Sequence, residues 1–221
     1  MARKTKAQAL ETKSLLIEAA IDCFAGRGVS ATSLSDIAEH AGMTRGAIYW
    51  HFKNKTELFK AIWVNSDEEI DRLHLEFASL YPNDPLGQLK HFLISFLQSL
   101  VVDERRRKIM EIIYHKCEFV GEMQSINQLD QKLVLEDYPK IAEKLSLCIH
   151  AQQLPSTLDT QRSAVVCRAY ITGIIENWLF SPASFDMKAL APTLVQAMID
   201  LLQYSPSLRI TPHAESDDNV S

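Results

Sequence analysis

The sequence predicts an all-α protein, and three features lead to that prediction. Apolar residues recur at helical spacing along nearly the whole chain, and no segment shows the alternation of a strand. Two capping signals, S-x-x-D and N-x-x-E, stand just before such stretches. Glycine and proline clusters separate the stretches. We therefore predict a helical module over residues 1–54, a larger helical domain over 55–204 and a disordered tail over 205–221.

Composition narrows the class of protein. Of 221 residues, 47% are hydrophobic and 23% charged, which is ordinary for a soluble globular chain. No apolar run is long enough to span a bilayer, and the basic N-terminus lacks the apolar core of a signal peptide. We therefore expect a cytoplasmic location and no membrane partner. The four cysteines are widely separated, so we expect buried thiols rather than disulfides.

The net charge of −5 is divided unevenly along the chain. Residues 1–60 hold nine Lys and Arg against six Asp and Glu, whereas the remainder is acidic. A basic module on an acidic body attracts a polyanion at one end only.

The first predicted helix has an apolar stripe that would complete a three-helix core with the next two helices, and the stripe comprises Ile17, Ala20, Ile21 and Phe24. The sequence Gly26-Arg27-Gly28 is a strong stop signal. Three basic residues precede this helix, Arg3, Lys4 and Lys6. Contact with phosphates and a merely solvated basic end are both compatible with them.

A helix-turn-helix follows. Ser33 and Asp36 form the start signal of a short helix whose apolar face comprises Leu34, Ile37, Ala38 and Ala41. Gly42 suits the turn, Thr44 can cap the second helix, and Ile48 returns to the shared core. The second helix would keep a polar and aromatic surface off that core, which suits a DNA groove. The alternative is a helical hairpin in an ordinary α-domain.

The rest of the chain reads as five more helical stretches. The first opens at Asn54 and Glu57 and runs to about Leu80, linking the module to the larger domain. The next covers about 86–102, and the basic run Arg105–Lys108 follows, compatible with nucleic-acid binding or with an internal ion-pair network. A helix over about 118–151 should kink or break at Pro139. The last two span 159–181 and a segment that starts close to Pro192 and ends near Tyr204.

The spacing Tyr49-x-His51-Phe52-x-x-Lys55-x-x-Leu58, after Thr44-Arg45-Gly46, resembles the signature of TetR-family transcriptional repressors. The resemblance implies a homodimer through the last two helices and a palindromic double-stranded operator near multidrug efflux genes. It also implies release when a lipophilic or cationic drug enters the C-terminal domain. The alternative is a regulator of another operon that responds to a different small molecule. The predicted DNA-contacting residues are Ser33, Thr44, Arg45, Gly46, Ala47, Tyr49, Trp50, His51 and Lys55.

A drug pocket is predicted around the linking helix. Trp63, Asp67 and Ile70 share one face of it, and a carboxylate between two apolar side chains is costly to bury alone. Asp67 would therefore attract a flat cation, on which Trp63 stacks. The remaining predicted pocket residues are Arg106, Ile113, Tyr114, Cys117, Asp130 and Val134. The alternative is that Asp67 pairs with Arg106 or faces solvent.

Two acidic residues depart from the pattern of the efflux-regulating relatives that the chain resembles. Asp67 stands in place of a glutamate, and Asp130 in place of a neutral glutamine, so the charge and size of the pocket differ.

An enzymatic role is disfavoured. His115, Cys117 and Glu118 are close in sequence, but they lack the spacing of a metal or nucleophile motif. We therefore expect neither a cofactor nor a metal. A purely architectural DNA-binding protein would not need so large an acidic helical domain.

Overall fold

The computed structural model describes residues 6–117 and 124–210, without the side chains of 124–134. These ranges hold nine α-helices and no strand, which confirms the predicted all-α fold there. The helices are α1 Lys6–Arg27, α2 Leu34–His40, α3 Arg45–His51, α4 Lys55–Leu80, α5 Pro85–Val102, α6 Glu104–Glu111, α7 Gln124–His150, α8 Thr160–Phe180 and α9 Met187–Tyr204. A π-helical turn, Ile112–Lys116, follows α6.

Short-range capping explains where the first helices begin. The Ser33 hydroxyl accepts a hydrogen bond from the Asp36 amide, and the Asp36 carboxylate accepts one from the Ser33 amide at 2.8 Å. The amide of Glu57 donates to the side-chain oxygen of Asn54 at 2.9 Å. Each bond satisfies an amide that the first turn of a helix leaves unpaired. The predicted starts of α2 and α4 are therefore confirmed.

The buried apolar side chains of the described residues form two clusters, which we call the first and the second core. The first is built from α1, α2, α3 and the start of α4, and it also takes in Ile109 and Ile112 from α6 and the π-helical turn. The second is built mainly from α5, α7, α8 and α9. The helical module predicted over residues 1–54 therefore shares its core with the segment that follows the basic run.

Pro139 and Pro192 both lie inside helices. Helix α9 begins at Met187, capped by Asp186, and Pro192 lies inside it, so the predicted start near Pro192 is wrong. Proline lacks the amide that would bond the Lys188 carbonyl. The side-chain amide of Gln98 donates to that carbonyl instead, at 2.9 Å. Helix α7 continues through Pro139 without the break that we allowed for, and the kink at Pro139 stays a prediction. Residues 118–123, where we placed the start of this helix, lie outside the described ranges.

Part of the predicted disordered tail is ordered. Residues 206–208 form a 3-10 turn, and Leu208 is buried. The Asp159 amide donates to the Leu208 carbonyl at 2.8 Å, and the Ile210 amide donates to the Thr157 carbonyl at 2.7 Å. Residues 205–210 therefore pack beside the start of α8, which corrects the prediction for them. Residues 211–221 lie outside the described ranges.

The cysteines are free thiols. Cys23, Cys148 and Cys167 are buried, and Cys117 is half-buried. Burial raises the pKa of the Cys148 thiol to about 11 and that of Cys167 to about 12. Both therefore stay protonated near neutral pH and serve as small apolar side chains.

Candidate DNA interface and ligand-binding region

The turn between α2 and α3 fixes the angle of α3, the second helix of the predicted helix-turn-helix. Gly42 has φ +65°, a conformation that favours glycine, and the Met43 amide donates to the Ala38 carbonyl at 2.8 Å. The Thr44 hydroxyl accepts from the Ala47 amide at 3.3 Å and so caps α3. Ile48 is fully buried and anchors α3 against α1 and α2. The other side of α3 is left to face outward.

That outward side carries the predicted contact residues. Trp50 is 72% exposed and Tyr49 is 45% exposed, unusual for aromatic side chains on a small module. The Arg45 guanidinium lies 5.4 Å from the centre of the Tyr49 ring, and Trp50 meets the half-buried His51 edge to face at 4.5 Å. The result is a basic, aromatic surface one helix wide.

Smaller residues complete this surface. Thr44 and Gly46 are exposed, and a Cβ added at Gly46 would meet nothing nearer than the Thr44 hydroxyl at 3.9 Å. Ala47 is half-buried beside them. Ser33 is exposed, although its hydroxyl is occupied by the cap of α2, and it lines a cleft of about 350 Å³ together with Tyr49 and Lys55.

Lys55 is placed differently from the other predicted DNA contacts. Its ammonium donates to the Val29 carbonyl at 3.1 Å and to the Ser30 carbonyl at 3.3 Å, both in the turn between α1 and α2. Sequence reasoning missed this, since the partners lie 26 and 25 residues earlier and no local pattern points to them.

The basic run on α6 forms ion pairs with the module and with α4. Arg105 bonds Glu18 of α1 and, at 2.9 Å, Glu69 of α4. Lys108 contacts Asp22 of α1 and Glu104 of its own helix, each at 2.8 Å. Hydrogen bonds to Asp22 and then to Glu104 raise the pKa of Lys108. Of the two interpretations of this run, the structure shows the ion-pair network.

The centre of the predicted pocket is a pair of residues on α4. Trp63 is half-buried, whereas Asp67, one turn further along the helix, is exposed. Partial burial of the carboxyl raises the pKa of Asp67, the charges of Asp137 and Asp71 add to this effect, and the Trp63 side chain and Lys140 oppose it. The carboxylate is therefore held in a partly desolvated and partly acidic setting, which a cation would relieve.

The other predicted pocket residues fall between the two cores. Trp63 and Cys117 pack against the first core, Ile70 and Tyr114 against the second, and Ile113 against both. These side chains therefore line the junction between the module and the larger domain. The side chains of Asp130 and Val134 lie outside the described part of the chain.

Arg106 is not the partner of Asp67. Its guanidinium donates to the Ser99 hydroxyl at 2.7 Å, lies 3.9 Å from the Glu69 carboxylate and sits 5.9 Å from the centre of the Phe96 ring. The alternative of an Asp67–Arg106 pair is therefore wrong, whereas the alternative that Asp67 faces solvent agrees with its exposed position.

The outer faces of α8 and α9 carry exposed residues, most of which are apolar or small. On α9 one stripe of exposed residues recurs at helical spacing, and it comprises Leu190, Thr193, Ala197, Leu201 and Tyr204. On α8 the corresponding stripe is Val165, Ala169 and Glu176, ending at Phe180, which is 84% exposed. Stripes of this kind are suited to close helix packing against another surface.

The described residues offer neither a metal site nor a membrane-spanning helix. They contain no cluster of three His, Cys, Asp or Glu side chains able to hold a metal ion. His115 meets the Phe180 ring edge to face, and Glu118 lies outside the described ranges. None of the helices in those ranges combines the length and apolar character that crossing a membrane requires.

Comparison with known proteins gives two family matches. Residues 16–62 match the model for bacterial regulatory proteins of the tetR family, and residues 84–204 match the C-terminal region of MAATS-type transcriptional repressors. The chain is 49% identical to the HTH-type transcriptional regulator AcrR of Shigella flexneri, over 95% of this chain and 97% of that protein.

Solved structures agree with these matches. NalD, the secondary repressor of the MexAB-OprM multidrug efflux pump in Pseudomonas aeruginosa, is 29% identical with a TM-score of 0.77, over 90% of this chain and 100% of that chain. The complex of triclosan with SmeT, the repressor of the Stenotrophomonas maltophilia pump SmeDEF, is 25% identical with a TM-score of 0.73. It covers 96% of this chain and 100% of that one.

Proposed function

Because the chain belongs to the TetR family of bacterial regulatory proteins, we propose that it is a drug-responsive repressor of multidrug efflux genes. A homodimer binds a palindromic operator and leaves it when a lipophilic, often cationic, drug enters the C-terminal domain. The observation that carries the proposal is the core shared between the DNA-reading module and the end of α6. Pocket residues next to that core can therefore affect the module directly.

DNA recognition uses the outward side of α3. Arg45 stands at the exposed start of the helix and has the fork geometry that reads a guanine edge. Tyr49 and His51 suit phosphate contacts, and Trp50 offers apolar surface to a thymine methyl. In a two-fold dimer the two α3 helices would enter successive major grooves, roughly 34–36 Å apart or a multiple of that distance.

The outer stripes of α8 and α9 support dimer formation. A two-fold interface needs a self-complementary surface, and two helices from each subunit would form a four-helix bundle there. Small residues such as Ala169 and Ala197 on these stripes allow the backbones to approach closely.

We place drug binding at the junction between the two cores. A flat cation can stack on the half-buried Trp63 and lie against the Asp67 carboxylate. A ligand here would press on α4, which begins in the module. It can release DNA only by binding the arrangement that does not fit the operator more tightly than the one that does.

The test uses the DNA upstream of the protein's own gene. Fluorescence anisotropy would measure operator affinity alone, with tetraphenylphosphonium, a lipophilic cation that does not intercalate, and with a neutral drug of similar size. We expect tight, sequence-specific binding that the cation weakens by at least tenfold. Specific binding that no lipophilic compound affects would reject drug-responsive repression and favour a regulator that responds to another kind of small molecule.

A further inference from the structure

The turn between α1 and α2 is held on one side by the larger domain. The Val29 amide donates to the Lys116 carbonyl at 3.0 Å, at the end of the π-helical turn. Val29 is fully buried, and Gly28 before it has φ +83°. The Thr32 hydroxyl closes the turn by donating to the Gly28 carbonyl at 2.7 Å. Movement of the segment after α6 would therefore reach this turn through a backbone hydrogen bond.

Lys55 holds the same turn from the other side. Its ammonium donates to the carbonyls of Val29 and Ser30, and the residue is half-buried. An ammonium has three protons, so these two bonds use most of its donors. At most one donor is then left for a phosphate oxygen.

We propose that Lys55 is a positioning residue for operator binding, acting by tying the α1–α2 turn to the start of α4. The Lys116 carbonyl, the Val29 peptide unit and the Lys55 ammonium then form one hydrogen-bonded connection. It runs from the π-helical turn of the larger domain to the first residue of the linking helix, beside the reading element. Lys55 affects operator binding indirectly, by setting the angle at which the helix-turn-helix module is held.

This role differs from a phosphate contact in a measurable way. Each phosphate contact that is lost makes the dependence of log affinity on log salt concentration shallower by about one. Loss of a positioning bond leaves the number of phosphate contacts and the slope unchanged. It lowers operator affinity and weakens the response to ligand, since the connection between the domains is interrupted. The second effect rests on the proposed function, and the first does not.

The experiment compares Lys55→Met with Lys53→Met, which removes the same charge from an exposed position in the same cleft. Operator affinity would be measured by anisotropy over a range of salt concentrations, with and without tetraphenylphosphonium. For Lys55→Met we expect a three- to tenfold loss of operator affinity and the wild-type salt slope. We also expect the fold-weakening by the cation to be at least halved. Lys53→Met should keep the wild-type fold-weakening.

Two further variants show whether the effects of Lys55→Met come from a folding defect. Lys55→Arg keeps the charge and the donors, so it should keep wild-type affinity and release. Gly28→Ala strains the same turn through its positive φ without changing any charge, so it should reproduce the weakened release with the wild-type slope.

The results separate the two claims. A salt slope shallower by about one for Lys55→Met, or wild-type affinity and release in that variant, would overturn the positioning role. If wild-type protein is not released by the cation at all, the proposed function fails. The salt slope and operator affinity of Lys55→Met still decide the role of Lys55 in that case.

Discussion

The Arg105 side chain on α6 forms an ion pair with Glu18 on α1, and its Nε donates to both carboxylate oxygens at 2.9 and 3.0 Å. The two residues are 87 positions apart in sequence and belong to different parts of the protein. The bond joins the segment that leads into the predicted drug pocket to the first helix of the DNA-reading module. It is a second connection, separate from the core that they share.

Removing the Arg105–Glu18 ion pair should reduce the coupling between drug binding and operator binding. In Arg105→Ala we expect tetraphenylphosphonium to weaken operator binding by a smaller factor than in wild type. Arg107→Ala is the matched control, because Arg107 pairs with Glu111 on its own helix. A double-mutant cycle of Arg105→Ala with Glu18→Gln should give an interaction free energy of about 0.5–1 kcal/mol in urea unfolding. Equal release in both arginine variants would contradict the prediction.

Arg45 should read bases. Because it is exposed, Arg45→Ala should cost about 1–3 kcal/mol of specific operator binding and leave the unfolding temperature unchanged. Anisotropy with the operator and with a scrambled duplex would separate specific from general binding. Wild-type affinity and an unchanged footprint in the variant would remove Arg45 from the set of base-reading residues.

Asp67 should give the pocket its preference for cations. Asp67→Asn should weaken ethidium binding to the DNA-free protein by about tenfold, roughly 1.4 kcal/mol, because the contact with a partly desolvated charge is lost. Binding of neutral drugs and of operator should stay unchanged. Glu68→Gln, the exposed neighbour on α4, is the control. Equal ethidium dissociation constants for Asp67→Asn and wild type would exclude Asp67 from the site.

The same substitution should show a pH-dependent gain in stability. Since burial raises the pKa of Asp67, its ionised form destabilises the folded state, and Asp67→Asn should raise the free energy of unfolding at pH 7. Lowering the pH through the raised pKa towards the ordinary value of 3.8 protonates the wild-type carboxyl, so the difference between the two proteins should shrink. Urea unfolding at several pH values would measure it. A difference that does not change with pH would argue against a raised pKa.

The face of α9 should form the dimer. Ala197→Arg places a long charged side chain in the middle of the exposed stripe, so sedimentation should show monomers that bind the operator weakly. Lys188→Glu alters the charge on the opposite side of the helix, at another exposed position, and should remain dimeric. A stable dimer of Ala197→Arg would place the interface elsewhere.

Local rules were enough to predict the reading element. Capping by Ser33, the left-handed turn at Gly42 and the return of Ile48 to the core each depend on residues a few positions apart. The helix-turn-helix is therefore present where spacing and propensity place it.

Contacts between distant residues could not be predicted in the same way. Pro192 lies inside α9, and Gln98, on another helix, bonds the carbonyl that proline leaves unpaired. The ammonium of Lys55 turns towards a loop 26 residues earlier, and the basic run on α6 finds its acidic partners on α1 and α4. Spacing in the sequence carries no information on which helices meet, so these pairings required the structure.

The central claim is that drug binding in the larger domain and operator binding by the module weaken each other, because the two parts of the protein are coupled. Calorimetry would measure the dissociation constant of tetraphenylphosphonium for the free dimer and for the dimer saturated with operator. Anisotropy would measure operator affinity with and without saturating cation. Because coupling between two sites is reciprocal, the operator should weaken cation binding by the same factor by which the cation weakens operator binding, at least tenfold. Equal cation affinities for the free and operator-bound dimer would contradict the account.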